Sequence, residues 1–166
     1  MPGAIYIPAE WSADCGSRPE LRQVILLACG ELGAREAPPH SNRGPRVDLY
    51  TGGRALRWCI AFVRWCYTEA GLFFPRTFSV SDVADWGAAN GHLVRSGPCL
   101  PGDVFLIERE RHDRDEEVRH GGIIVRDLGD GRACCIEGNH GDVVAPTIRA
   151  GSEFTSIVRV APRQAQ

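Results

Sequence analysis

A cysteine opening an apolar-periodic segment, a histidine at the mouth of a β-branched run, and a carboxylate with an amide on the next extended run are the side chains that thiol nucleophilic catalysis needs. Here they are Cys59 in Arg57-Trp58-Cys59-Ile60-Ala61-Phe62, His120 before Gly121-Gly122-Ile123-Ile124-Val125, and Glu137 and Asn139 in Ile136-Glu137-Gly138-Asn139. A cysteine reacts as the thiolate, and a helix N-terminus with a cationic neighbour lowers a thiol pKa from about 8.5 toward roughly 3.5–7.5. Cys59 opens its segment, whereas Cys66 falls two turns deeper on the same stripe and reads as core. An imidazole with an unperturbed pKa near 6.5 suits proton exchange at neutral pH, so His120 is the candidate base. His40, His92, His112 and His140 lie in loops or charged runs and have weaker claims.

Strand alternation puts Cys135, Glu137 and Asn139 on one face, so Glu137 or Asn139 can fix the tautomer of the histidine. The backbone N–H of Cys59 is the natural oxyanion donor. Trp58 and Trp86 are candidate substrate-binding aromatics. Plainer readings compete: Cys59 as one more small hydrophobe, Glu137 as a solvated strand end, Asn139 as a turn former before Gly141. No closed set of metal ligands and no cofactor motif is visible, so neither a metal nor a cofactor is expected.

The elements that must position these side chains follow from periodicity. Ser17-Arg18-Pro19-Glu20 has the form of a capping box, and Leu21, Val24, Ile25, Ala28 and Leu32 then predict a helix over about 18–32. Prolines and glycines between Gly33 and Arg57 forbid a long element, leaving room for a short helical turn near Val47–Tyr50. Cys59, Phe62, Val63, Cys66 and Ala70 form the stripe of a second long helix that Gly71 stops. Ser79 to Asn90 predicts a shorter one. Beyond Pro101-Gly102, extended runs are expected at 103–107, 121–127, 132–138, 142–149 and 154–160, and the alternating charges of 108–117 read as a solvated loop. Helices followed by an antiparallel meander of about five strands indicate an α+β domain.

A chain of 166 residues with 43% hydrophobic content fits one domain with a proper core. Basic residues number 19 against 21 acidic ones, which argues against a nucleic-acid partner. Every basic residue is arginine, which excludes Schiff-base chemistry and a P-loop lysine. No segment reaches membrane-spanning length, and Met1 to Trp11 lacks a basic region followed by an apolar run. The chain is therefore expected to be made in the cytoplasm without an export signal. Its seven cysteines match no zinc pattern and are expected to be mostly free thiols.

Taken in order, these motifs resemble the CHAP/NlpC-P60 group of papain-like cysteine amidases and peptidases, which act mainly on bacterial cell walls. The resemblance spans roughly residues 18 to 140 and rests on Gly33, Arg35-Glu36, Asn42-Arg43-Gly44-Pro45, Val47-Asp48, Tyr50, Trp58-Cys59, Ala61-Phe62-Val63, Trp65-Cys66 and Ala70-Gly71. Pro101-Gly102-Asp103-Val104, His120-Gly121-Gly122-Ile123 and Ile136-Glu137-Gly138-Asn139 continue it. It implies a papain-like domain over 1–166 with Cys59 as nucleophile, His120 as base, and Glu137 with Asn139 as polar partners. It further implies hydrolysis of an amide in peptidoglycan, within the stem peptide or at the sugar–peptide link, in the periplasm or wall of a target cell. Lysins of the group often carry a secretion signal or an attached wall-binding domain, and neither is expected here; some CHAP domains also hold calcium in an Asp-rich loop just before the cysteine, where this sequence has only Asp48. A phage lysis protein and an antibacterial effector toxin both fit, the latter with an immunity protein or a secretion-system component as partner. The competing expectations are a cytosolic amidase or deamidase acting on a protein or small molecule, and a non-catalytic module of the same fold.

Overall fold

The structure, a computed structural model, describes residues 18–111 and 116–160. Among these residues the helical periodicities of the N-terminal half and the extended runs of the C-terminal half build four α-helices followed by a five-stranded sheet, an α+β fold. The helices are α1 (Leu21–Gly30), α2 (Val47–Thr51), α3 (Cys59–Glu69) and α4 (Val80–Ala89). The strands are β1 (Val104–Arg111), β2 (Glu116–Asp127), β3 (Arg132–Glu137), β4 (Ala145–Ala150) and β5 (Ser156–Val158). Every pairing is antiparallel, in the order β4-β3-β2-β1-β5, so a four-strand meander closes with β5 returning to the free edge of β1. No helix among the described residues is long and apolar enough to cross a membrane.

α1 buries Leu21, Val24, Ile25 and Ala28 but is shorter than its periodicity predicts. Its N-cap is Glu20, which makes no side-chain cap, and Ser17 lies outside the described residues. At the other end Glu31 and Leu32 form tighter i→i−3 bonds, and the N–H of Gly33 leaves the helix for the carbonyl of Val144 at 2.9 Å. α4 begins as expected, with the Ser79 hydroxyl accepting the N–H of Asp82 at 3.3 Å.

On both sides of 112–115 the charged run forms strand where a solvated loop is expected. β1 and β2 continue as a paired ribbon through Glu108↔Arg119 and Arg109↔Val118 to Arg111↔Glu116, with 112–115 outside the described residues. A ribbon satisfies its backbone by cross-strand bonds whatever the polarity of its side chains, so apolar patterning marks only the part of β1 and β2 that enters the core. β4 starts later than expected because Asp142, at φ +67°, still belongs to the turn.

The main core lies between the helices and one face of the sheet, with Trp58, Phe62, Tyr67, Leu106, Ile123 and Ile136 fully buried. A smaller cluster of Phe105, Ile107, Ile124, Ala133 and Cys135 covers the opposite face. Cys66 is buried on α3, where desolvation pushes its thiol pKa well up. The six cysteines among the described residues are all free thiols. Asp103, fully buried at the start of β1, is paired with Arg18 at 2.8 Å and Arg159 at 2.7 Å. That carboxylate joins the chain before α1 to the chain after β5.

α3 can lie close to the end of β3 because Gly138 has no side chain: a Cβ there would stand 2.6 Å from Cβ of Phe62. Gly138→Ala is therefore expected to force α3 and the strand end apart, lowering stability by about 1–3 kcal/mol as overpacking does. A urea midpoint unchanged from wild type would contradict this close approach.

Candidate active site

Cys59 begins α3, where unpaired backbone N–H groups and the helix dipole favour negative charge, and it is only 5% exposed. His120 on β2 is mostly buried; its ring hydrogen-bonds Glu137 and shares a cleft with Cys59, near enough for the two side chains to influence each other's charge. Nε2 of His120 lies 2.7 Å from Oε2 of Glu137. Burial works against the imidazolium, but the interactions with Cys59 and Glu137 outweigh it and push the His120 pKa up to about 9.

Glu137 closes β3 with its side chain fully buried. Arg149 on β4 grips both oxygens, Nε to Oε1 and Nη2 to Oε2, each at 2.7 Å, and the Thr147 hydroxyl donates to Oε1. Desolvation alone would raise this carboxylate's pKa. The hydrogen bonds from Arg149, His120 and Thr147 overcome it and hold Glu137 far below the usual carboxylate range. Gly122 leaves the space for this packing, since a Cβ there would come within 2.9 Å of Cγ of Glu137.

A second imidazole, His140, places Nδ1 3.2 Å from Oε2 of Glu137. The donor atoms of His120, Glu137 and His140 all fall within 4.8 Å of one another, the one such metal-sized group among the described residues. Here Glu137 already accepts from Arg149 and Thr147 as well as facing both imidazoles. Asp48, the aspartate just before the cysteine, pairs with Arg43 at 2.9 Å.

Cys59 and His120 line a cleft of about 850 Å³ together with Glu36, Asn42, Asn139, Asp142, Arg57 and Arg119. Among the described residues the non-glycine positions with left-handed backbone are His40, Asn42, Asn139 and Asp142, and all four line this cleft. Such conformations are held only where surrounding structure over-determines them, and they cluster at functional sites.

Of the side chains singled out in the sequence, Cys59, His120 and Glu137 meet. Asn139 does not join them: β3 ends at Glu137, Asn139 turns at φ +58°, and its amide faces Asn42 at 3.5 Å. Strand alternation fails at 139 because the strand has stopped. Trp58 is fully buried with its indole bonded to Glu36, so it shapes the cleft from beneath. Trp86 lies outside the cleft, stacked on His92 with ring centroids 4.6 Å apart and packed on Phe73. Sequence reading gave no role to Glu36, Thr147 or Arg149 and only a weak claim to His140. Thr147 and Arg149 were findable in principle, since alternation puts both on one face of the strand that follows Glu137.

Comparison with protein-family models, curated proteins and solved structures finds no match to this chain.

The His120 ring is expected to titrate near pH 9 by NMR, and in Cys59→Ala its midpoint should fall, because the sulfur's support is lost while burial remains. A folded-state pKa raised above the ordinary 6.5 stabilises the protein fully below about pH 6.5, and that contribution is lost as pH rises through about 9. A wild-type midpoint near 6.5 would contradict the arrangement.

Proposed function

We propose that this chain is a papain-like cysteine amidase or peptidase that hydrolyses an amide bond in peptidoglycan. The observation that carries the chemistry is the meeting of Cys59, at the head of α3, with His120 in one cleft, the His120 ring lying 2.7 Å from the buried Glu137 carboxylate. In the proposed reaction the Cys59 thiol gives its proton to His120 and the sulfur attacks the amide carbonyl carbon, while the backbone N–H of Cys59 holds the developing oxyanion. The C–N bond breaks as His120 passes a proton to the leaving amine. His120 then takes a proton from water, which releases the acyl group from sulfur and regenerates the thiol. Glu137 keeps the ring in the tautomer that both steps use, and Arg149 and Thr147 keep Glu137 ionised and still.

The substrate class rests on the ordered motifs that resemble the CHAP/NlpC-P60 group. Action on the wall of a target cell, as an effector toxin or a phage lysis protein, belongs to the same proposal. Its test is digestion of purified sacculi with mass spectrometry of the released fragments, whose masses identify the bond. Cys59→Ala and His120→Ala are expected to release nothing above background. Glu137→Gln should lower kcat by roughly 10²–10⁴, since the ring loses the acceptor that fixes its tautomer. Intact sacculi after treatment with folded wild-type protein would overturn the substrate, and full turnover by Cys59→Ala would overturn the mechanism.

A further inference from the structure

Glu36 lines the cleft with only 4% of its surface exposed and takes no part in the chain from Cys59 to Glu137. Its Oε1 accepts the indole N–H of Trp58 at 2.8 Å, and its Oε2 accepts the backbone N–H of Asn42 at 2.8 Å. Neither donor is a cation. A buried carboxylate that among the described residues accepts from these two neutral donors is a costly choice, and the chemistry of the two contacts explains it. Both oxygens must accept, which a carboxylate does; a glutamine would turn its NH2 group against one of the two N–H donors.

What these contacts hold is the head of α3. Trp58 is the N-cap residue directly before Cys59, its ring is fully buried, and its carbonyl accepts the Phe62 N–H at 2.9 Å. With the ring tied to Glu36 and the carbonyl tied into the first helical turn, the peptide joining Trp58 to Cys59 is anchored on both sides. The other oxygen holds Asn42 in its left-handed conformation at φ +52°, where its side chain meets Asn139 across the cleft wall. The backbone N–H of Glu36 also binds the carbonyl of Asp142 at 2.9 Å. One residue thus ties the start of the cysteine helix to both loops that form the facing wall.

We propose that Glu36 is a positioning residue for the nucleophile: through Trp58 it holds the Cys59 sulfur toward His120, and through Asn42 it sets the width of the cleft. This rests on the reading of Cys59 as the reactive thiol. The test is the rate of Cys59 carboxymethylation by iodoacetamide at pH 6, followed by peptide mass spectrometry, in wild type, Glu36→Gln, Trp58→Phe and the double variant. Near-UV circular dichroism and the urea midpoint report the fold. Glu36→Gln and Trp58→Phe are each expected to slow Cys59 labelling at least tenfold, and the double variant no more than the slower single, because both changes break the same contact. Wild-type labelling rates in folded Glu36→Gln, or losses that multiply in the double variant, would overturn the proposal. Should Glu36→Gln not fold, Trp58→Phe alone decides between a tenfold loss and none. Wild-type Cys59 labelling no faster than the partly exposed Cys29 and Cys99 would defeat the reactive-thiol reading itself, and the positioning role with it. Fast wild-type labelling that ignores Glu36 would defeat the positioning role alone.

Discussion

A fully buried carboxylate is tolerated only where its charge is met on every side, and the site is built around the one at Glu137. Arg149 and Thr147 from β4 and His120 from β2 converge on its two oxygens, so three adjacent strands are registered to each other by one side chain. Removing any partner would leave uncompensated charge in the interior, which is typically far more destabilising than the intact network is stabilising. The same carboxylate holds the His120 ring, and the ring in turn meets Cys59. The chemistry at the surface therefore inherits its geometry from an ionic arrangement inside the sheet.

The second constraint is the approach of α3 to the sheet. Tyr50 from α2 packs among Trp58, Phe62 and Trp65, at centroid separations of 5.7, 5.4 and 5.3 Å, and wedges α3 from behind. In front, the absence of side chains at Gly138 and Gly121 lets Phe62 and Ile60 come down onto the strands. A helix seated this way delivers its N-terminal dipole and Cys59 to the edge where His120 emerges. The facing wall consists of loops, and its left-handed residues are fixed by contacts between those loops and Glu36.

The residues proposed to react were legible because their chemistry is rare and their setting is periodic: Cys59 heads an apolar stripe and His120 heads a β-branched run. The helices were legible for the same reason, with Ser79 marking a start that the structure keeps. What patterning could not reach depends on partners distant in sequence. Arg149 meets Glu137 only because β4 pairs with β3, and Glu36 meets Trp58 only because a proline-containing loop folds back under α3. Asn139 misled because alternation was extended past the end of a strand, and Trp86 because an aromatic near a helix end can stack on His92 as readily as face a cleft. The charged ribbon escaped because backbone pairing outside the core leaves no apolar signature.

A covalent intermediate on one named sulfur is the central claim, and it is directly observable. Wild-type protein mixed with soluble peptidoglycan stem peptides, quenched in acid within the first turnover and digested, should yield the peptide containing Cys59 with the added mass of the acyl fragment. The adduct should vanish on brief treatment with hydroxylamine, as a thioester does. Its absence from Cys59 while product forms, or its appearance on another residue, would contradict the assignment.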